Sequence, residues 1–148
     1  MKHDVILLDG AMGTMLTHCG RSDGLNLSQP SVVAHAHRLY LEAGADIILL
    51  PAPGTVPGIT VEYVRVLVTY AHSLGALTIT AIGTSQEGAD VATIREIALM
   101  CKMTGTDMHH LGDSGYGGMA LPENIQSYSI VIRGIRHTYR RMADSILR

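Results

Sequence analysis

Residues 46–82, which read DIILLPAPGTVPGITVEYVRVLVTYAHSLGALTITAI, contain one complete strand–helix–strand pattern. Asp46–Leu50 and Leu77–Ile82 are short and nearly continuous apolar runs, as expected of strands that are buried on both faces of a parallel sheet. Between them lies an apolar stripe with spacings of three and four residues, formed by Val64, Leu67, Val68, Ala71 and Leu74. This spacing predicts an amphipathic helix that begins after Thr60 and stops at Gly75.

The same alternation extends in both directions along the chain. Two further strands are predicted at Val5–Leu8 and Asp107–Leu111. One helix is predicted from an N-cap at Ser28 to a stop at Gly44, and another from a cap at Asp90 to Gly105. A last helix opens at Leu121-Pro122-Glu123 and carries a long apolar face, and Gly134 is a point at which it could divide in two. The alternation predicts an α/β fold with four βα units and a parallel sheet.

Four βα units are half of a (βα)8 barrel, which takes about 250 residues. A four-stranded parallel sheet would expose two strand edges, and a second copy of the chain could cover both of them. We therefore expect residues 1–148 to form a single α/β domain, a half-barrel that is completed by dimerisation. The alternative is an open, flavodoxin-like sheet with helices on both faces.

Composition narrows the class of protein further. The 148 residues are 47% hydrophobic and carry a formal charge of -2, which favours neither disorder nor nucleic-acid binding. The apolar runs are too short for a membrane helix and the first residues lack the pattern of a secretory signal, so a cytoplasmic protein is expected. Five arginines lie between residues 133 and 148. They are interpreted as residues near a helix C-terminus that complement its dipole, or as a phosphate or RNA patch.

The first third of the chain resembles a known family. The segments ILLDGAMGTM (6–15), LNLSQP (25–30) and YLEAGADII (40–48) resemble the start of the homocysteine S-methyltransferase family, which includes the homocysteine domain of methionine synthase. The resemblance implies a (βα)8 barrel that binds homocysteine at its mouth, where three cysteines hold a zinc ion. By the same resemblance, the turn formed by Asp9, Gly10 and Ala11 would border that pocket.

The sequence departs from this family after residue 48. The only cysteines are Cys19 and Cys101, so one chain cannot assemble a three-thiolate zinc site, and no cofactor is expected. Residues 49–148 resemble instead an uncharacterised bacterial group of barrel-like proteins. The two resemblances together suggest the hypothesis of a chimera, of engineered or natural origin.

A glycine-rich segment follows the last predicted strand and precedes the last predicted helix. Its glycines and serine could let backbone N–H groups converge on a phosphate or another small anion. The alternative is a flexible loop that needs glycine for its turns. The candidate anion-binding residues are Gly112, Ser114, Gly115, Gly117 and Gly118, together with Gly10 and Ala11.

Four titratable residues at the predicted strand ends are candidates for catalysis: Asp9, Glu87, His110 and Asp113. Glu87 is the best candidate for a general base, and its alternative is a solvated carboxylate near a helix entry. His109, His110 and Asp113 could be metal ligands or acid–base groups, but adjacent strand residues point to opposite faces, so only one histidine can face a barrel mouth. The alternative is a packed or surface histidine, and no metal site is predicted.

Two classes of function fit these features. The favoured hypothesis is a self-associating half-barrel module without efficient catalysis, with an anion site in the glycine-rich loop. The alternative is an enzyme, either methyltransferase-like with a thiol acceptor or a lyase or isomerase of a phosphorylated small molecule. Expected partners are a second copy and a small anionic ligand, whereas membrane and nucleic-acid partners are not expected.

Overall fold

The structure is a computed structural model that describes residues 29–83, 86–112 and 120–144. The predicted strand Val5–Leu8 lies outside these residues. Within them, helices and parallel strands alternate along the chain, and a 3₁₀ turn follows the second strand. The elements are α1 Pro30–Glu42, β1 Ile47–Pro51, α2 Val61–Ser73, β2 Leu77–Ile82, the turn Gln86–Gly88, α3 Val91–Thr104, β3 Met108–Leu111 and α4 Pro122–Ala143.

The described strands form one parallel sheet in the order β1-β2-β3. Leu50 lies opposite Thr80, and Thr80 lies opposite His109, so these three residues belong to one face of the sheet. Each crossover steps to the next strand in the same direction. The predicted α/β class with a parallel sheet is therefore confirmed for three of the four predicted strands.

Helices pack on the face that carries Leu50 and Thr80. Val64 and Val68 of α2 lie in one core cluster with Leu50, and Ile94 of α3 lies in a second cluster with Ile82 and Tyr128 of α4. Because Leu50, Thr80 and Ile82 alternate onto the same side of the paired strands, α2, α3 and α4 share one face.

The second face of the sheet is more open than the first. It carries Leu49, which is 36% exposed, together with the half-buried Ile79 and Met108 and the exposed His110. These partly exposed apolar side chains form a surface that another layer of protein could cover.

Local capping explains several helix ends. The Thr60 and Asp90 side chains accept hydrogen bonds from the backbone N–H groups of Tyr63 and Thr93, as N-caps do, so both predicted starts are confirmed. Gly105 ends α3 with φ +82°. The N-cap of α1 is Gln29, and no side chain of the described residues caps this helix; the predicted cap Ser28 lies outside the described residues.

The last helix breaks at Gly134, whose φ of 81° and ψ of 162° are not helical. Ser129 Oγ and Thr138 Oγ1, on the two sides of the break, lie 3.0 Å apart in a hydrogen bond. The two arms of α4 therefore lie side by side. The predicted division at Gly134 is confirmed. The break interrupts the predicted apolar face, and about half the surface of Ile125, Ile135, Tyr139 and Met142 stays exposed.

None of the helices in the described ranges is long and apolar enough to cross a membrane.

Candidate functional site

The carboxyl ends of the three described strands meet at one edge of the sheet, because the strands are parallel. Ligands of α/β proteins bind outside this edge. The 3₁₀ turn with Glu87 follows β2, and Gly112 follows β3. The backbone N–H of Gly112 donates to the carbonyl of Ile82 over 3.0 Å, so the segment after β3 lies against the end of β2.

Glu87 is buried at this edge. Only 5% of the surface of Glu87 is exposed. Its Oε2 atom has no hydrogen-bond partner among the described residues. A carboxylate that is shielded from water without a partner costs free energy. The interpretation of Glu87 as a solvated carboxylate is therefore wrong, and its role as an acid–base group stays a prediction.

Gly112 lies directly against Glu87. A Cβ atom at Gly112 would lie 3.4 Å from Cγ and Cδ of Glu87 and 2.9 Å from the Ile82 carbonyl oxygen. Only glycine allows this close approach of the backbone. The structure thus brings together one predicted catalytic residue and one predicted anion-binding residue.

Asn124 holds the turn that carries Glu87. Its Nδ2 atom donates to the carbonyl oxygens of Glu87 and Ala89, both over 3.0 Å, and the residue is only 2% exposed. The sequence analysis missed this residue. The sequence contains only a weak sign of this role. Asn124 is a polar amide in the first turn of a helix whose other core-facing residues are mostly apolar.

A groove of about 1150 Å³ follows β3. Its lining includes every residue from Asp107 to Leu111, and consecutive strand residues point to opposite faces. A groove that touches all of them must therefore run along the outer edge of the strand. The two arms of α4 form its other wall, with Tyr128 and Arg133 from the first arm and Arg141 from the second.

A polar cluster lies at the inner wall of this groove. His109 Nδ1 lies 2.9 Å from the Tyr128 hydroxyl oxygen and 3.5 Å from Thr80 Oγ1. Burial lowers the pKa of His109, and the charge of Arg133 lowers it further, so the imidazole is neutral at pH 7. Burial raises the pKa of the Tyr128 hydroxyl and of the Cys101 thiol. The cluster is suited to hydrogen bonding and not to holding charge.

The two adjacent histidines point to opposite faces, as predicted. His109 faces the helices, whereas His110 is exposed on the second face of the sheet. Within the described part of the chain, no hydrogen bond joins His110 to Glu87. Eight candidates lie outside the described residues: Asp9, Gly10, Ala11, Asp113, Ser114, Gly115, Gly117 and Gly118.

Across residues 29–83, 86–112 and 120–144, no group of three or more His, Cys, Asp or Glu side chains is placed to hold a metal ion.

The sheet topology and the buried carboxylate at the strand ends define an α/β protein with a candidate ligand site at the carboxyl edge of its sheet. The chain belongs to the family described as a domain of unknown function, DUF7916, whose model matches residues 3–148. This match runs across residues 48 and 49, where the two segments with different resemblances meet. No solved structure matches the chain.

Proposed function

We propose that this chain is a half-barrel (βα)4 module that self-associates through its strand edges and binds a small anion at the carboxyl edge of its sheet. The proposal rests on the sheet topology. A doubly wound sheet reverses its strand order and so carries helices on both faces, whereas a barrel steps in one direction and keeps its helices outside. The order β1-β2-β3 with α2, α3 and α4 on one face fits the barrel.

The second face of the sheet also supports a half-barrel. In a closed barrel, inward-facing side chains fill the interior in layers. Leu49, Ile79 and Met108 are apolar and partly exposed here, and a second half-barrel would bury them. Burial of apolar surface is favourable by about 25 cal/mol per Å².

The anion site is proposed at the segment that follows Gly112, because the backbone N–H of Gly112 itself already donates to the Ile82 carbonyl, contrary to its expected role as an anion donor. In barrels a phosphate site commonly follows the last strands, near the N-terminus of a helix. Gly112 follows β3, and α4 begins at Pro122. The ligand class is a free phosphate or the phosphate group of a small molecule.

The experiment is the solution mass by light scattering over a wide range of protein concentrations. A dimer that persists at low concentration is the expected result, and a monomer at every concentration would overturn the proposal. Titration of inorganic phosphate, followed by the chemical shifts of the Gly112 amide and its neighbours, tests the anion site separately. Saturable shifts are expected, and their absence at millimolar phosphate would remove the anion site.

An enzyme is the second candidate, favoured by the Oε2 atom of Glu87, which has no hydrogen-bond partner among the described residues. A buried carboxylate at the strand ends could accept a proton from a bound molecule as a general base. The substrate would be a phosphorylated small molecule, for a lyase or isomerase, or a thiol such as homocysteine, for a methyl transfer. The chain needs no cofactor in this proposal, and stoichiometric zinc in the purified protein would favour the thiol chemistry.

We expect Glu87→Gln to raise the free energy of unfolding by about 1 kcal/mol, because a neutral amide costs less to bury than an unpaired carboxylate. Any turnover of a thiol or phosphorylated substrate should disappear in the same variant. Chemical unfolding and activity assays measure the two effects. Glu96→Gln, on the exposed side of α3, is the control and should change neither. A Glu87→Gln variant that is less stable and equally active would contradict the role of Glu87.

A further inference from the structure

A second cavity, the basic cavity, lies beside the groove at the break of α4. It has a volume of about 460 Å³, and the described residues that line it are Arg133, His137, Arg140, Arg141 and Asp144. Arg133 and Arg141 also line the groove along β3. The two cavities therefore adjoin, and these two arginines lie where they meet.

The basic cavity carries positive charge that the described residues do not neutralise. Arg140 Nε lies 3.9 Å from Asp144 Oδ2, one turn further along the helix. Arg133 and Arg141 are exposed, and neither forms an ion pair with a described residue. An arginine side chain presents a planar fork of N–H donors that matches a phosphate or a carboxylate. The basic cavity is therefore suited to a negatively charged group.

The adjoining groove is mostly apolar. Its lining includes Ile125 and Met142, and about half the surface of each is exposed. Asp107, the acidic residue among the described lining, is already engaged by hydrogen bonds from β2 and by a salt bridge to α2. The groove thus offers an apolar surface that begins at the basic cavity.

The inner wall of the groove adds no charge. His109 is neutral at pH 7, and its Nδ1 atom and the Tyr128 hydroxyl already lie in a hydrogen bond with each other. Pockets for small molecules are usually apolar with a few polar groups that fix the orientation of the ligand. A groove with an apolar length and two arginines at one side has this character.

We propose that the groove and the basic cavity together bind one small amphipathic molecule, with an alkyl chain along β3 and a negatively charged head group at Arg133 and Arg141. Charge and polarity select this occupant. A bare anion would leave the apolar groove in water, and a neutral chain would leave the arginines without a counter-charge. The four residues of β3 span about 13 Å at about 3.3 Å per residue, which matches an extended decyl chain.

This site differs from the anion site proposed after Gly112, so the inference goes beyond the proposed function. The outer edge of β3 is, however, an edge through which self-association is proposed. A ligand along this edge and a second copy would compete for it. Saturating ligand should therefore raise the dissociation constant of the dimer at least threefold.

A series of alkyl phosphates tests the site, measured by isothermal titration calorimetry below the critical micelle concentration of each probe. We expect saturable binding of one decyl phosphate per chain. Full burial of one CH₂ group strengthens binding about fourfold, and an open groove buries each group in part, so hexyl phosphate should bind at least tenfold more weakly. Inorganic phosphate, decanol and decyltrimethylammonium, which lack the chain, the charge or its sign, should each bind at least tenfold more weakly as well.

Variants of exposed residues locate the head group. Arg133→Gln with Arg141→Gln should weaken decyl phosphate at least tenfold. The matched control is Arg95→Gln with Arg136→Gln, which removes the same charge from exposed positions that line neither cavity. This control should leave the affinity within about threefold.

A second variant locates the alkyl chain independently. Met142→Gln, in the groove, should weaken decyl phosphate more than hexyl phosphate. Its matched control is Met103→Gln, on the exposed surface of α3 and outside both cavities, which should change neither affinity. Circular dichroism verifies that every variant is folded and that the probes do not unfold the chain.

The outcomes separate this inference from the proposed function. Equal affinity for inorganic phosphate and decyl phosphate, equal affinity for decanol, or binding that the Arg133 and Arg141 variant does not weaken would each overturn the inference. A dimer that binds none of the probes leaves self-association intact and overturns the inference. A monomer that binds decyl phosphate with the expected dependence on chain length and on the two arginines supports the inference, although the proposed self-association fails.

Discussion

At the scale of single residues, Asp107 connects three elements at the amino edge of the sheet. Its Oδ2 atom accepts hydrogen bonds from the backbone N–H of Thr78 over 2.8 Å and from the Thr78 hydroxyl over 2.9 Å. His72 Nε2 of α2 lies 2.8 Å from the same oxygen. Burial alone would raise the pKa of Asp107, but the hydrogen bonds from His72 and Thr78 outweigh it and lower the pKa. This edge lies opposite the candidate site and contributes to stability.

Asp107 should make stability depend on pH. Since its pKa is lower in the folded than in the unfolded chain, its contribution is present above about pH 4 and is lost as pH falls through the folded pKa. We expect Asp107→Asn to reduce the free energy of unfolding at pH 7 by about 1 kcal/mol, because water partly screens the site. Urea unfolding from pH 3 to 7 measures this, and the difference should shrink below pH 4. Asp144→Asn is the control, and a difference that is independent of pH would contradict the assignment.

At the scale of elements, α4 shows how one glycine decides which surface a helix presents. Gly134 has a φ and ψ that are accessible essentially to glycine alone, and it reverses the direction of the chain. The first arm buries Tyr128 and Asn124 against the core, and the second buries Thr138 against the first. A helix without this break would carry Arg141 away from β3, so the groove depends on the reversal.

A side chain at Gly134 should strain this break. We expect Gly134→Ala to lower the free energy of unfolding by about 1–3 kcal/mol, because alanine must adopt a positive φ or the helix must straighten. Thermal unfolding measures the loss, and helical circular dichroism distinguishes strain from straightening, which would add helical signal. Arg136→Ala, two residues further along on the exposed surface, should change stability by less than about 0.5 kcal/mol. Equal stability of the two variants, with unchanged circular dichroism, would contradict a strained glycine.

At the scale of the whole molecule, the described part of the chain contains a sheet that carries α2, α3 and α4 on one side. The core lies between the sheet and α2, α3 and α4, where Ile48, Leu50, Ile82 and Ile94 are at most 2% exposed. The other side carries apolar side chains with partial exposure. A one-sided sheet of this kind gains stability when a second surface covers it, because covering removes apolar area from water.

Stability should therefore depend on protein concentration. Association that binds only the folded chain raises the melting temperature as concentration rises. We expect an increase of several degrees between micromolar and millimolar chain, measured by calorimetry. A melting temperature that is constant over this range would argue for a self-sufficient monomer.

The sequence by itself determined the local elements of this protein. The strands at residues 46–50 and 77–82 were predicted within a residue, and the caps at Thr60 and Asp90 were predicted correctly. Apolar spacing and capping act over a few neighbouring residues, so a single chain displays them directly. The α/β class follows from the alternation of these elements.

Only the tertiary structure decided the candidate site and the groove. Glu87 is buried because Gly112 packs against it and Asn124, which is 37 residues away, holds its turn. The groove forms because α4 turns back at Gly134 and brings Arg141 of the second arm to the groove that the first arm lines with Arg133. Contacts of this kind depend on the packing of distant segments, and no local pattern of residues records which segments meet.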